Sequence, residues 1–295
     1  MSPARLLLAA AALGLAVPAI AQFGGLNKLG GALDKAKQGL EAAKDAAKVA
    51  KAVTGLTLEE EKLIGDSVAL EIVSAYGGIW RDDEATRRVN LVGAALARYC
   101  DRPGLEWRFG LLDSDTVNAF SAPGGTVFLT RGLYAHLGSD DLLAAALAHE
   151  IAHITGKHAA KIITRSEAAA VLSREATKRS SDAQALQAKA DAAAAQVAQV
   201  SPELAQFVDV SVAQVVQLIL EKGFDPQTEH AADRDGRALA VTAGFAPGGL
   251  RAVLLRLQAA GDAEKPFSSH PPLAARLEKL PADPAPHEPE PAATP

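Results

Sequence analysis

The 295-residue chain holds a single cysteine, Cys100, which excludes an intrachain disulfide and any cysteine-built zinc site. A buried, inert thiol is the expectation. Aromatic residues make up only 4% although hydrophobic residues reach 48%, and alanine supplies much of the difference. Alanine has the best helix propensity and too little volume for a wide sheet core, so helices should dominate. The 30 Lys and Arg residues are outnumbered by 35 Asp and Glu, for a net charge of -5, and they gather on no dominant basic face. A nucleic-acid partner therefore has no support. No apolar run reaches the about 20 residues that a membrane span needs.

What is present begins with MSPARLLLAAAALGLAVPAIAQ. Arg5, the apolar run from Leu6 to Val17 and the small-x-small triplet Ala19-Ile20-Ala21 read as a secretory signal over 1–21. A module over 22–56 follows. Its glycine-rich start, FGGLNKLGG, reads as flexible, and an Ala/Lys helix comes next. In that helix Leu33, Ala36, Leu40, Ala43, Ala47 and Ala50 share a narrow face that suits the main domain or a partner. Thr57 with Glu60 forms a capping box that opens the next helix, and a third runs from Ala85. Trp107, Phe109 and Leu111 alternate with polar or small residues as a strand does, and Val127–Leu129 make a second after the turn Pro123-Gly124-Gly125. Ser139 caps a helix with two acids in its first turn. A long Ala/Gln-rich insert spans about 165–223 and ends at Gly223-Phe224-Asp225-Pro226. A helix then runs to Gly244, a final one spans roughly 271–280, and the tail 281–295 is proline-rich and expected to be disordered.

The polar cluster HEIAH, His149 to His153, sits in an otherwise apolar run, LLAAALAHEIAHITGKH. On a helix, residues i and i+4 lie one turn apart on one face, so His149 and His153 aim at a single point. Two neutral imidazoles there suit zinc, and Glu150, about 100° around the helix, can reach a water at the ion as general base. Leu142, Leu143, Leu147 and Ile151 bury the helix, and metal coordination would satisfy polar groups that burial otherwise penalises. A catalytic zinc site takes three protein ligands. In TEHAADRDG, Glu229 and Asp233 are also i and i+4. Glu229 can supply the third ligand, and Asp233 can accept the free N–H of a ligating histidine, His149 in the first place.

HEIAH, EHAAD, the upstream NAFSAPGGTVFLTRGL and the downstream SHPPLAARLEKL together resemble the Ste-type, HtpX-type and Oma-type zinc metallopeptidases, peptidase family forty-eight of the gluzincins. The likeness runs from about Thr57 to Leu280. It implies an α+β, predominantly helical zincin-like metallopeptidase domain with a small β-sheet, over 57–280, holding one Zn2+ per chain. It implies His149, His153 and Glu229 as ligands, Glu150 as base and Asp233 behind the ligands. The segment from Asn118 resembles the family's strand beside the cleft, so the backbone of Asn118, Ala119 and Phe120 is expected to pair with an extended substrate. The family carries a histidine where His270 stands, to stabilise the oxyanion or to occupy zinc's fourth position at rest.

These expectations describe an exported metalloendopeptidase, periplasmic or secreted, that cuts misfolded or unassembled envelope proteins. The N-terminal helix is the expected contact for an outer-membrane or envelope partner. Two alternatives stand beside it: a zinc-stabilised chaperone or assembly factor that binds clients without cutting, and a peptidase held latent by His270. The insert is either a lid over the cleft or a peripheral hairpin. His136, His158, His230 and His287 read as structural or exposed, with His158 off the metal-facing side.

Overall fold

A computed structural model describes residues 25–165, 223–260, 270, 272–284 and 286. The segment read as a secretory signal, the insert between 166 and 222, His287 and most of the proline-rich tail lie outside the described residues. Helices α1 (Gly25–Thr54), α2 (Leu58–Ala75) and α3 (Asp83–Ala97) come first, then strands β1 (Arg108–Leu112), β2 (Ala119–Ala122) and β3 (Thr126–Thr130). A short α4 (Arg131–Tyr134) leads into α5 (Asp140–Thr155), residues 158–165 are again helical, and α6 (Pro226–Thr242), α7 (Gly249–Ala259) and α8 (Leu273–Lys279) follow. The class is α+β and mainly helical, with one small sheet.

Sheet order is β1-β3-β2, with β1 parallel and β2 antiparallel to β3. All five residues of β3 are buried, as a central strand requires, while Phe109 and Leu111 point β1 into the core. β2 is an edge. Outside its ladder with β3, residues 119–122 make no backbone–backbone hydrogen bond among the described residues.

The sheet supports α5. Ser139 caps this helix by accepting the Leu142 N–H at 3.4 Å, and Asp140 and Asp141 occupy its positive first turn. Every residue from Leu142 to Ile154 is buried, because α3, β2 and β3 cover part of the helix and α6 and α7 cover the rest. Asp141 also accepts the Ala246 N–H at 2.7 Å, tying the α6–α7 connection to the start of α5. The crossing of α5 and α6 is tightest at Gly236. A Cβ there would stand 2.8 Å from the His149 backbone nitrogen, closer than packed atoms approach, so only glycine lets the two helices meet this closely.

Several sequence expectations shift. The Thr57–Glu60 capping box forms with both reciprocal bonds. The glycine-rich start of the N-terminal module is helical from Gly25 onward rather than flexible, because the Ala/Lys periodicity that follows continues back through it. No α1 residue whose side chain is described is buried, and Val53 is 90% exposed. The final helix starts at Leu273, after Pro272, two residues later than read. Helices α4 and α7 were not anticipated.

Candidate metal centre

Two helix starts set the site. Asp225 caps α6 through the Gln227 and Thr228 N–H groups, with Pro226 at the first helical position, so Glu229 emerges in the first turn. Helix α5 brings His149 and His153 one turn apart, and α6 crosses over them. His149 Nε2 and His153 Nε2 stand 3.2 Å apart, and the Glu229 carboxylate lies 3.5 Å from the first and 3.6 Å from the second. All three side chains are buried.

The donor set fits a metal ion. Ligand bonds of about 2.0–2.1 Å in a tetrahedral zinc site put neighbouring donors about 3.4 Å apart, close to the spacing seen here. Glu229 Oε1 is buried with no hydrogen-bond donor, an arrangement that costs stability unless a cation satisfies it. Ligand atoms of His149, His153, Glu229 and His270 all lie within 4.8 Å of one another.

The opposite side of His149 is held by Asp233, whose Oδ1 is 3.0 Å from His149 Nδ1. This hydrogen bond keeps a proton on Nδ1 and aims Nε2 at the point it shares with His153 and Glu229. Arg276 of α8 grips the Asp233 carboxylate twice, Nε to Oδ2 at 3.0 Å and Nη2 to Oδ1 at 2.6 Å. Its Nη2 also comes within 3.4 Å of His149 Nδ1, so guanidinium and imidazole share one carboxylate oxygen. Sequence reasoning did not single out Arg276. It stood inside SHPPLAARLEKL, and no local pattern told a buried partner for Asp233 from a helix-end arginine.

Glu150 is buried beside the ligands, and no hydrogen bond among the described residues engages its carboxylate. His270 Nδ1 lies 2.7 Å from Glu229 Oε2, with its side chain almost fully buried. Asn118, Ala119 and Phe120 are buried as well. Asn118 Oδ1 accepts the Ala119 N–H at 2.9 Å, and the Phe120 ring packs 4.4 Å from that of Tyr76. Their side chains serve the core, and only the backbone edge of β2 remains for a ligand strand. His158, expected to be structural or exposed, packs behind a histidine of the cluster. It is partly buried, and its Nδ1 lies 3.0 Å from His153 Nδ1, because the turn after α5 folds it back against the ligand.

Electrostatics follow from this packing. Burial and the Arg276 charge press the His149 imidazolium down, yet hydrogen bonds to Asp233 and Glu229 outweigh them and hold its pKa at about 9 in the metal-free chain. Burial, reinforced by the neighbouring His149, keeps His153 far below the ordinary imidazole value. For Glu229, burial raises the carboxyl pKa, but His270 and His149 more than offset it, and the group stays ionised throughout the physiological range.

A metal ion must therefore displace one proton from His149 and none from His153. Zinc affinity should rise about tenfold per pH unit from pH 7 toward the His149 value and level off above it. Chelator competition at pH 7, 8 and 9 measures the slope, and a flat profile would show His149 neutral before binding. The sign for the metal-free fold is opposite. The His149 pKa is raised from an ordinary 6.5 to about 9, so its stabilisation is complete below about 6.5 and lost as pH climbs through about 9.

Two ligand histidines one turn apart, a carboxylate from a second helix and a free carboxylate beside them, set on a mainly helical α+β scaffold, define a metallopeptidase centre. The family model of peptidase family M48 matches residues 83–283, and the chain belongs to that family. Among curated relatives, it is 29% identical over 112 residues to the "Beta-barrel assembly-enhancing protease" of Yersinia pestis, covering 38% of this chain and 23% of that one. The protein of the same name from Escherichia coli is 29% identical over 106 residues, 36% of this chain and 22% of that one. The "Mitochondrial metalloendopeptidase OMA1" of Schizosaccharomyces pombe is 32% identical over 110 residues, 37% of this chain and 33% of that one. The chain thus spans a quarter to a third of these relatives. Helix α2 precedes the family match yet packs on the same sheet.

Proposed function

We propose that this chain is a zinc-dependent metalloendopeptidase that hydrolyses peptide bonds in misfolded or unassembled proteins of the cell envelope. The observation that carries it is the convergence of His149, His153 and Glu229 on one point with the Glu150 carboxylate beside them. Zinc bound there would polarise the scissile carbonyl and acidify a water molecule. Glu150 takes a proton from that water as its oxygen adds to the carbonyl carbon, then delivers the proton to the leaving nitrogen as the C–N bond breaks. One peptide bond and one water become a carboxylate and an amine. Asp233, braced by Arg276, keeps His149 in the ligating tautomer throughout.

The open edge of β2 supports recognition of an extended chain by backbone pairing, which reads shape more than sequence and favours unfolded clients. The envelope setting rests on the apolar N-terminal segment and on the names of two relatives, which concern β-barrel assembly. Among the described residues no helix is long and apolar enough to cross a membrane. Helix α1 is offered as the contact for an envelope partner.

Cleavage of an unfolded model protein by the purified chain should stop when a chelator strips the metal and return on adding zinc. Clients held but never cut would favour the chaperone alternative. Latency imposed by His270 is supported by its 2.7 Å contact with Glu229 and by its ligand atom lying within 4.8 Å of those of His149, His153 and Glu229. His270→Ala should then raise basal cleavage. Unchanged cleavage and unchanged zinc affinity would remove His270 from the mechanism.

A further inference from the structure

Each ligating histidine has a partner on its second nitrogen, and the two partners differ. His149 Nδ1 meets the Asp233 carboxylate, whereas His153 Nδ1 meets His158 Nδ1 at 3.0 Å. The local chain is shaped to produce the second contact. Helix α5 ends at Thr155 with Gly156 as its C-cap, Lys157 adopts a left-handed conformation at φ 55°, and helical structure resumes at His158. A left-handed lysine is a conformation that non-glycine residues seldom take, and it reverses the chain so that the His158 ring returns beneath His153. Gly156 makes room for it, since a Cβ there would lie 2.4 Å from His158 Nε2.

The turn is also braced. Arg102 Nη1 donates to the Ile154 carbonyl at 3.2 Å while its guanidinium grips buried Glu61 at 2.6 and 2.9 Å. Lys157 Nζ stands 3.9 Å from the same Glu61. On the remaining face Phe224 stacks on His153, ring centres 4.4 Å apart at 19°, and presents an edge to His158.

We infer that His158 is the positioning residue for His153, accepting its Nδ1–H and so turning the Nε2 lone pair to the metal point. This rests on the proposal that His153 is a ligand through Nε2. His158 then carries its own proton on Nε2. It touches neither metal nor substrate and acts through the ligand's tautomer and ring angle. The two ligands are consequently unequal, one backed by an ionised carboxylate and the other by a neutral ring.

The test uses the chain from residue 22 onward, with zinc affinity read by chelator competition and the metal-free melting point recorded beside it. His158→Ala should weaken zinc about 10–100-fold with the metal-free melting point unchanged. His158→Asn, whose Oδ1 falls where Nδ1 stands, should bind within a few-fold of wild type. His158→Leu fills the space without an acceptor and carries the comparison if the alanine variant does not fold. In nitrogen–proton spectra of the zinc-loaded chain, the His153 Nδ1–H signal should persist in wild type and His158→Asn and vanish in His158→Leu. Equal affinity for wild type and His158→Leu, or an equal loss for Asn and Leu, overturns the inference. If wild-type zinc binding is indifferent to His149→Ala, the metal centre itself is misplaced and the inference goes with it.

Discussion

Replacing Glu150 with glutamine is expected to lower cleavage of an unfolded protein by about 10²–10⁴-fold while leaving zinc affinity unchanged. Glutamine keeps the size and polarity of the side chain but cannot carry a proton from water to the leaving nitrogen. Glu150 is outside the cluster of ligand atoms, and no hydrogen bond among the described residues ties it to the fold, so nothing else should move. Single-turnover cleavage and chelator competition on the same preparation separate the two quantities. A variant that cuts at the wild-type rate would show that another group moves the proton. A variant that loses zinc together with activity would make Glu150 structural.

The second large effect belongs to Arg276. Arg276→Met should destabilise the metal-free fold by about 3–5 kcal/mol, the usual penalty for leaving one member of a buried ion pair alone. For a domain of this size that corresponds to a melting point lower by roughly 6–20 °C. Arg276 is 1% exposed, and methionine fills its volume without replacing the paired bonds to Asp233. Asp233 is left charged and half-satisfied, and its hold on His149 loosens. Zinc affinity should therefore fall as well, and added zinc should recover less of the melting point than it does in wild type. A melting point within error of wild type would mean that solvent reaches Asp233.

The contrast between these residues shows what the amino-acid sequence can display. His149, Glu150 and His153, like Glu229 and Asp233, are related by helical periodicity inside one element, so their shared faces could be read before any coordinates. Their meeting could be inferred because the two histidines of HEIAH need a third ligand and Glu229 offers one. Arg276 is 127 positions from His149, and Gly236 matters only because α5 crosses above it. Neither relation leaves a periodic trace. His158 escaped for a different reason. A helical wheel extended from His153 carries it away from the metal, and only the left-handed Lys157 brings it back. The strands around Phe109 and Val127 could be read from alternation and a Pro-Gly-Gly turn. Helix α7 was missed because no capping side chain announces its start.

The crossing of α5 and α6 has a consequence for how the chain matures. About 75 residues separate His153 from Glu229, so the triad closes a long loop whose entropy is lost before any contact across it is gained. No part of the chain shorter than this holds all three donors. A nascent or half-folded molecule can form the HEIAH helix but lacks its third donor until α6 docks against α5 through Gly236. On the proposed function, hydrolysis thus arrives last, as a product of long-range folding, and a chain that stalls on the way would lack it.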